Sequence, residues 1–361
     1  MSETEAQRVV KRINALTAEE EQGLSKRYDI GDWLSWNYEP TGRSNVSLTI
    51  TTAGGEYILR RSNPRKSLPS ILFEVELIDF LRGKGYPAPE IVATRDGKKF
   101  VEDQGTFYLL TRCISGRPFE PGNPVHLREA GRALGTYHNL VKHFPGYPPG
   151  PASMMSGLSP EGSRSFPAIE EFVGRFFGAE EQQRLSRLFS YVRDRAEDLR
   201  SRLQEVYPRL LKLMIHASYG QSALLFDQDT LVGVLDYDRA VYEIRALDLA
   251  YSVKELCHRH QEFLDTGKVT LNLDCFRAFL KFYQETEPLP EEEAQVLPLV
   301  FAARHVLKIV DKCSGFLAKD AVNPRQETHT RKLVFKLERE TAWLEWLAQH
   351  EKELRTVVSE E

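Results

Sequence analysis

No stretch of this 361-residue chain is apolar for long enough to cross a bilayer. Residues Met1 to Val10 are polar and carry no apolar signal core, so no secretory signal is expected. Positive charge is not in excess. The formal net charge is −4, which excludes an overall basic field that would recruit nucleic acid or an anionic membrane. Cysteine is scarce: Cys113, Cys257, Cys275 and Cys313 are far apart and form no paired motif. That argues against a disulfide frame or a zinc site, and for reduced thiols in a cytoplasmic protein. No internal repeat is visible. What remains is ordinary for a globular protein, with 41% hydrophobic and 28% charged residues. The length suffices for two lobes and a sizeable core.

The most informative stretch runs from Leu213 to Asp238. Two apolar runs, 213–215 and 223–226, flank the polar loop His216-Ala217-Ser218-Tyr219-Gly220-Gln221-Ser222. A turn over 227–230 leads into Leu231-Val232-Gly233-Val234-Leu235-Asp236-Tyr237-Asp238. This reads as a β-hairpin with a loop at its entrance. No Gly-x-Ser-x-Gly elbow surrounds Ser218, which argues against a nucleophilic serine.

Taken in order, residues 5–27 are charged, with apolar Val9, Ile13 and Leu16, and predict a short, solvated leader helix. Ser47 to Thr51 alternates, Ala53-Gly54-Gly55 turns, and Tyr57 to Arg61 returns as the second strand of a hairpin. Period two puts Ile58 and Arg60 on one face and Leu59 and Arg61 on the other. Ile71, Val75, Ile78 and Leu81 predict a helix over 70–82, with Pro69 near its start and Glu74 one turn in. Strands are expected at 91–94 and 107–112, with a turn at 95–97. Beyond residue 118 the period becomes helical through Leu127, Ala130, Leu134, Tyr137 and Val141, with His138 read as a packed or capping histidine. Residues 144–167 are rich in Pro, Gly and Ser and read as a long loop. Helices are expected at 180–206, 250–264, 272–286, 291–319 and 328–357. The residues by themselves therefore predict a sheet-rich N-terminal part followed by a helical part containing one hairpin.

The stretch around His216 resembles the catalytic loop and metal-binding strand of the aminoglycoside phosphotransferase, choline kinase and homoserine kinase (type II) family. In that family the loop runs His-Gly-Asp, four residues, Asn and two aliphatics, before a hairpin into Ile-Asp-Phe. His216, Leu224, Leu225 and Asp236 match it. Ala217 stands at the Gly, Ser218 at the Asp that serves as base, and Ala223 at the Asn that holds a metal. The resemblance covers roughly residues 28–320. It implies an α+β, bilobal, protein-kinase-like fold. A leader helix (1–27) would precede an antiparallel-sheet N-lobe (28–113) and a mostly helical C-lobe (114–361). It also implies ATP or another nucleotide with Mg as cofactor, and a small-molecule ligand in the C-lobe cleft, with no nucleic acid or membrane partner. Asp236 would hold the metal. Arg60 aligns with the phosphate-binding Lys, Glu74 with its ion-pair partner, Asn45 with the phosphate-covering stretch that begins at Pro40, and Cys113 with the adenine hinge. Asp248 resembles the Asp that holds the catalytic loop. A solvated pair of arginines and a solvated helix Glu remain the plain alternatives for Arg60 and Glu74.

The chemistry of the replacements favours impaired catalysis. A serine hydroxyl is not a base near neutral pH, and an alanine methyl offers a metal nothing. Losing a general base costs roughly 10²–10⁴ in rate. Three readings follow: a pseudokinase that retains nucleotide binding, a deliberately silenced small-molecule kinase, or an active phosphotransferase with a rearranged site in which Asp238 serves as base.

Overall fold

A computed structural model describes residues 16–39, 45–148, 153–258, 262–320 and 326–359. The expected helix positions Val9 and Ile13 and the stretch Pro40 to Ser44 lie outside them. The described residues of 1–118, 144–149 and 223–238 form one compact unit, and those of 119–143, 150–222 and 239–361 form another.

The first unit opens with α1 (Ala18–Ser25), whose start is fixed by a capping box. The Thr17 hydroxyl accepts from the Glu20 N–H while the Glu20 carboxylate accepts from the Thr17 N–H. The described part of the leader is not solvated. Leu16 and Leu24 enter the core beside Leu48, Ile50, Leu59 and Leu110. Glu20 accepts from the Tyr108 hydroxyl at 2.9 Å, and Glu21 from Trp36 Nε1 at 3.0 Å. The charged residues of this short helix are therefore its attachment to the sheet.

That sheet is antiparallel, in the order β1 (Trp33–Glu39), β2 (Val46–Thr52), β3 (Gly55–Arg61), β5 (Thr106–Arg112), β4 (Val101–Asp103). Strand β1 was not expected. Its sequence WLSWNYE places large apolar side chains on both faces, with Leu34 68% exposed, so no period-two pattern marks it. The segment expected as a strand over 91–94 makes only the isolated bridges Ile91–Thr111 and Tyr28–Thr94. The hairpin partner of β5 is β4 instead, closed by Gln104 (φ 47°) and Gly105 (φ 74°). Helix α2 (Leu68–Gly83), capped by Ser67, buries Ile71, Phe73, Val75, Leu77, Ile78, Leu81 and the carboxylate-bearing Glu74. The hairpin Leu224–Asp227 with Thr230–Val234 also belongs here, paired to the short strand Arg117–Pro118. Gly116 and Gly233 are needed at that contact. A Cβ on Gly116 would lie 3.1 Å from both Leu225 and Val232, and one on Gly233 3.1 Å from Ile114.

The second unit is helical apart from a two-stranded ladder, Lys212–Ile215 with Val241–Ile244. Its principal helices are Pro124–Val141, Phe166–Phe177, Ala179–Leu203, Arg245–Cys257, Leu273–Gln284, Glu291–Asp320, Gln326–Gln349 and Glu351–Ser359. The expected loop over 144–167 is partly helical, at Met154–Gly157 and Gly162–Ser165, and runs directly into Phe166–Phe177. Phe166 fixes that start by stacking on Phe189 at 4.1 Å. Among the described residues no helix is long and apolar enough to cross a membrane.

Candidate active site

The loop 216–222 leaves the strand Lys212–Ile215 and is held by Asp248, in the first turn of helix Arg245–Cys257. Asp248 is fully buried. Its Oδ2 accepts from the His216 N–H at 2.7 Å and its Oδ1 from the Ala217 N–H at 2.9 Å. His138 Nε2 lies 3.1 Å from Oδ2, and His138 Nδ1 lies 2.9 Å from the Tyr283 hydroxyl. One proton arrangement satisfies every partner: His138 donates from Nε2 to Asp248 and accepts the Tyr283 proton at Nδ1. Tyr283 in turn accepts from Arg245 Nη1 at 3.5 Å. Burial pushes the Tyr283 hydroxyl well above the usual phenol range, which keeps it a donor.

Arg245 closes this network. Its Nε donates to Glu293 at 2.6 Å and its Nη1 to Glu287 at 2.5 Å, with all three side chains buried. Burial pulls the guanidinium down, but the bonds to Glu293 and the charges around it carry it above its ordinary value. Lys142 reaches the same Glu287 at 2.5 Å. His216 is itself fully buried, edge-on to Tyr137 and Tyr219, and its Nδ1 accepts from the Ser218 N–H at 3.3 Å. Ala217 sits at φ 56°. This left-handed backbone suits glycine, and the two bonds to Asp248 hold it here on an alanine. Ser218, half-buried, follows directly.

In the other unit, Arg60 Nη2 lies 2.6 Å from Glu74 Oε1. Burial lowers the Arg60 guanidinium, but the charges of Glu74, Asp238 and Asp236 raise it further. Asn45 Nδ2 donates to Asp238 Oδ2 at 3.0 Å and Asn45 Oδ1 accepts from the Asn63 N–H at 3.0 Å. The structure thus brings Arg60, Glu74, Asn45, Asp236 and Asp238 into one neighbourhood. It adds Lys66, whose ammonium donates to the Asp238 carbonyl and lies 3.9 Å from Glu74. Sequence reasoning missed Lys66 because it sits in the irregular segment before the Ser67 cap, outside any periodic pattern. It also left out Tyr283, Arg245, Glu287 and Glu293 as parts of the loop support. For Tyr283, Arg245 and Glu293 the visible signal is a polar or ionisable group on the buried face of a helix; Glu287, in the bend after helix Leu273–Gln284, has none. Cys113 is half-buried and its N–H is already donated to the Glu56 carbonyl at 3.0 Å.

The sequence matches the phosphotransferase enzyme family over residues 40–282, two thirds of the chain. This chain belongs to that family. Among curated proteins it is similar to homoserine kinase of Methylobacillus flagellatus, 27% identical over 288 residues, covering 79% of this chain and 81% of that one. Among solved structures it superposes on an amicoumacin kinase in complex with AMP-PNP, Ca²⁺ and its substrate. The TM-score is 0.66 at 16% identity, over 91% of this chain and 94% of that one. A microcompartment-associated aminopropanol kinase gives a TM-score of 0.65 at 17% identity, over 93% and 97%. The protein-kinase-like fold is shared.

Two positions bear on whether the family's metal fits this chain. Ala223 is fully buried, and its carbonyl already accepts from the Leu235 N–H at 2.8 Å. Asp238 is engaged by Asn45 and faces Arg60. Asp236 is exposed and in a left-handed backbone (φ 67°). Among the described residues no group of three or more His, Cys, Asp or Glu is placed to hold a metal ion. The Ala223 methyl offers a cation no oxygen, so a cation held by Asp236 would take most of its oxygens from a bound ligand.

Proposed function

We propose that this phosphotransferase-family protein retains the family's small-molecule kinase scaffold with impaired phosphoryl transfer, and that it binds a nucleotide weakly. The observation that supports this reading is the contrast within one loop. The support for the loop is complete: Asp248 accepts both backbone N–H groups, and Tyr283, His138 and Arg245 hold Asp248. The reacting positions carry Ser218 and Ala223, which supply neither a base nor a metal ligand. Arg60, Lys66 and Asn45 provide cationic and polar contacts for phosphate oxygens. With one exposed carboxylate at Asp236, the reading allows one cation at most. The ligand class is a small alcohol, by similarity to relatives named for homoserine and aminopropanol.

The test is the double variant Ser218→Asp with Ala223→Asn, assayed for ATP turnover with homoserine, amino alcohols and aminoglycosides. Ala223 is fully buried, so folding of the variant is first checked by its melting curve. Recovery of turnover from a silent parent supports the reading. Robust turnover by the unmodified chain refutes it and favours Asp238 as base. Nucleotide binding is read separately: millimolar ATP or ADP with Mg²⁺ raises the melting temperature if binding survives.

A further inference from the structure

We propose that Lys308 and Arg239, backed by the buried Arg304, bind the carboxylate of a small-molecule ligand beside the loop 216–222. Helix Glu291–Asp320 carries Arg304, Lys308 and Lys312 four residues apart, on one face, where like charges repel. The two outer cations have carboxylates: Arg304 meets Glu255 at 3.2 Å and Lys312 meets Glu340 at 3.5 Å. Both carboxylates are shared. Glu255 also takes Lys254 at 2.9 Å, while Glu340 takes Arg339 at 3.3 Å and His305 at 2.8 Å. Lys308, between them, has no carboxylate within ion-pair distance among the described residues. Its ammonium lies over the Tyr251 ring at 5.1 Å, and Arg304 lies over the same ring at 4.7 Å. Arg304 is 2% exposed, and its Nε finds no acceptor among the described residues.

The charge is thus concentrated and only partly neutralised. Burial and the repulsion of Arg304, Arg239 and Lys312 push the Lys308 ammonium down to about 7, against the opposing charge of Asp311. Arg239 is exposed and projects its charge onto both Lys308 and Tyr251. One exposed guanidinium and one amine poised near neutrality match an anionic carboxylate. Arg304, over the same Tyr251 ring, adds to this positive field.

The cluster is tied to the loop through Glu255. The Glu255 carbonyl accepts from Gln221 Nε2 at 2.8 Å, and a Cβ on Gly220 would lie 2.9 Å from the Glu255 Cβ. Arg304, which shares the Tyr251 ring with Lys308, pairs with this same Glu255 and so connects the cluster to the loop. The proposal rests on the kinase reading for the identity of the ligand and is independent of it for the anion site.

Isothermal titration of the full chain at pH 7 and fixed ionic strength, with malonate, inorganic phosphate, L-homoserine and the carboxylate-free diol of homoserine, tests both levels. Malonate binding that falls at least tenfold in Lys308→Met and in Arg239→Ala supports the site. So does a binding heat that varies with buffer ionisation as Lys308 takes up a proton. Malonate binding that is absent, or that stays equal to the parent's in either variant, overturns it. Phosphate binding tighter than malonate overturns the carboxylate assignment. Malonate binding without homoserine binding leaves the anion site standing and removes the homoserine-like substrate. The diol is expected to show no difference between the parent and Lys308→Met.

Discussion

Replacing Asp248 by alanine removes the acceptor on which the loop depends. Three donors lose it together: the N–H groups of His216 and Ala217 at 2.7 and 2.9 Å, and His138 Nε2 at 3.1 Å. Each buried donor left unpaired costs about 1–3 kcal/mol. The loss of a negative charge from the first turn of a helix adds about 0.3–1 kcal/mol. These costs are not additive, because the freed N–H groups relax together. We expect a net loss of about 4 kcal/mol, against a total stability of about 5–15 kcal/mol for an ordinary domain. Urea unfolding followed by circular dichroism measures it as a fall in midpoint at constant slope. Asp248→Asn is expected to recover only part of the loss, because an amide offers one acceptor where the carboxylate offers two. The double variant with Tyr283→Phe should be less than additive, since both changes break one network. A loss below about 1 kcal/mol for Asp248→Ala would refute the view that this carboxylate sets the loop.

Ala217→Gly is expected to stabilise the protein by up to about 1 kcal/mol, because relief of a left-handed alanine (about 1–2 kcal/mol) outweighs the added freedom of the unfolded glycine (about 0.4–1 kcal/mol); thermal melting checks it. Arg245→Met should cost about 3–5 kcal/mol by leaving Glu293 buried without its cation and Glu287 with Lys142 alone. Adding Glu287→Gln and Glu293→Gln should recover a measurable part of that loss, and no recovery would sink the assignment. His305, fully buried against Glu340, is held down to about 3 by burial, from an ordinary value of 6.5. Its folded value lies below its unfolded one, so its contribution is complete above pH 6.5. It is lost as pH falls towards 3, at up to about 1.4 kcal/mol per pH unit. Urea midpoints measured from pH 7 to pH 4 should show this slope, and it should flatten in His305→Asn.

The sequence by itself determined the order of the parts. The alternation in 47–51 and 57–61, the turn between them, and the apolar stripe from Ile71 to Leu81 are local patterns with local causes. They were readable as β2, β3 and α2, and the hairpin after Ala223 was readable for the same reason. The family resemblance of the loop was readable too: it sets Ser218 and Ala223 at the positions where the family has a base and a metal ligand, and no tertiary contact changes what a hydroxyl or a methyl can do. Strand β1 was not readable, because its pattern is set by what covers each face. Nor was the leader's attachment, since Glu20 and Glu21 look like solvated charges until Tyr108 and Trp36 are placed beside them. The support of the loop and the cation cluster were decided only by the fold. His138, Tyr283, Arg245 and Glu287 are separated by up to about 150 residues of chain, the first three on helices and Glu287 in the bend after one. Folding removes them from water at one point, where buried polar groups must find one another. The same desolvation leaves Lys308 beside Arg304 with no carboxylate of its own among the described residues, a juxtaposition that no periodicity in the chain encodes.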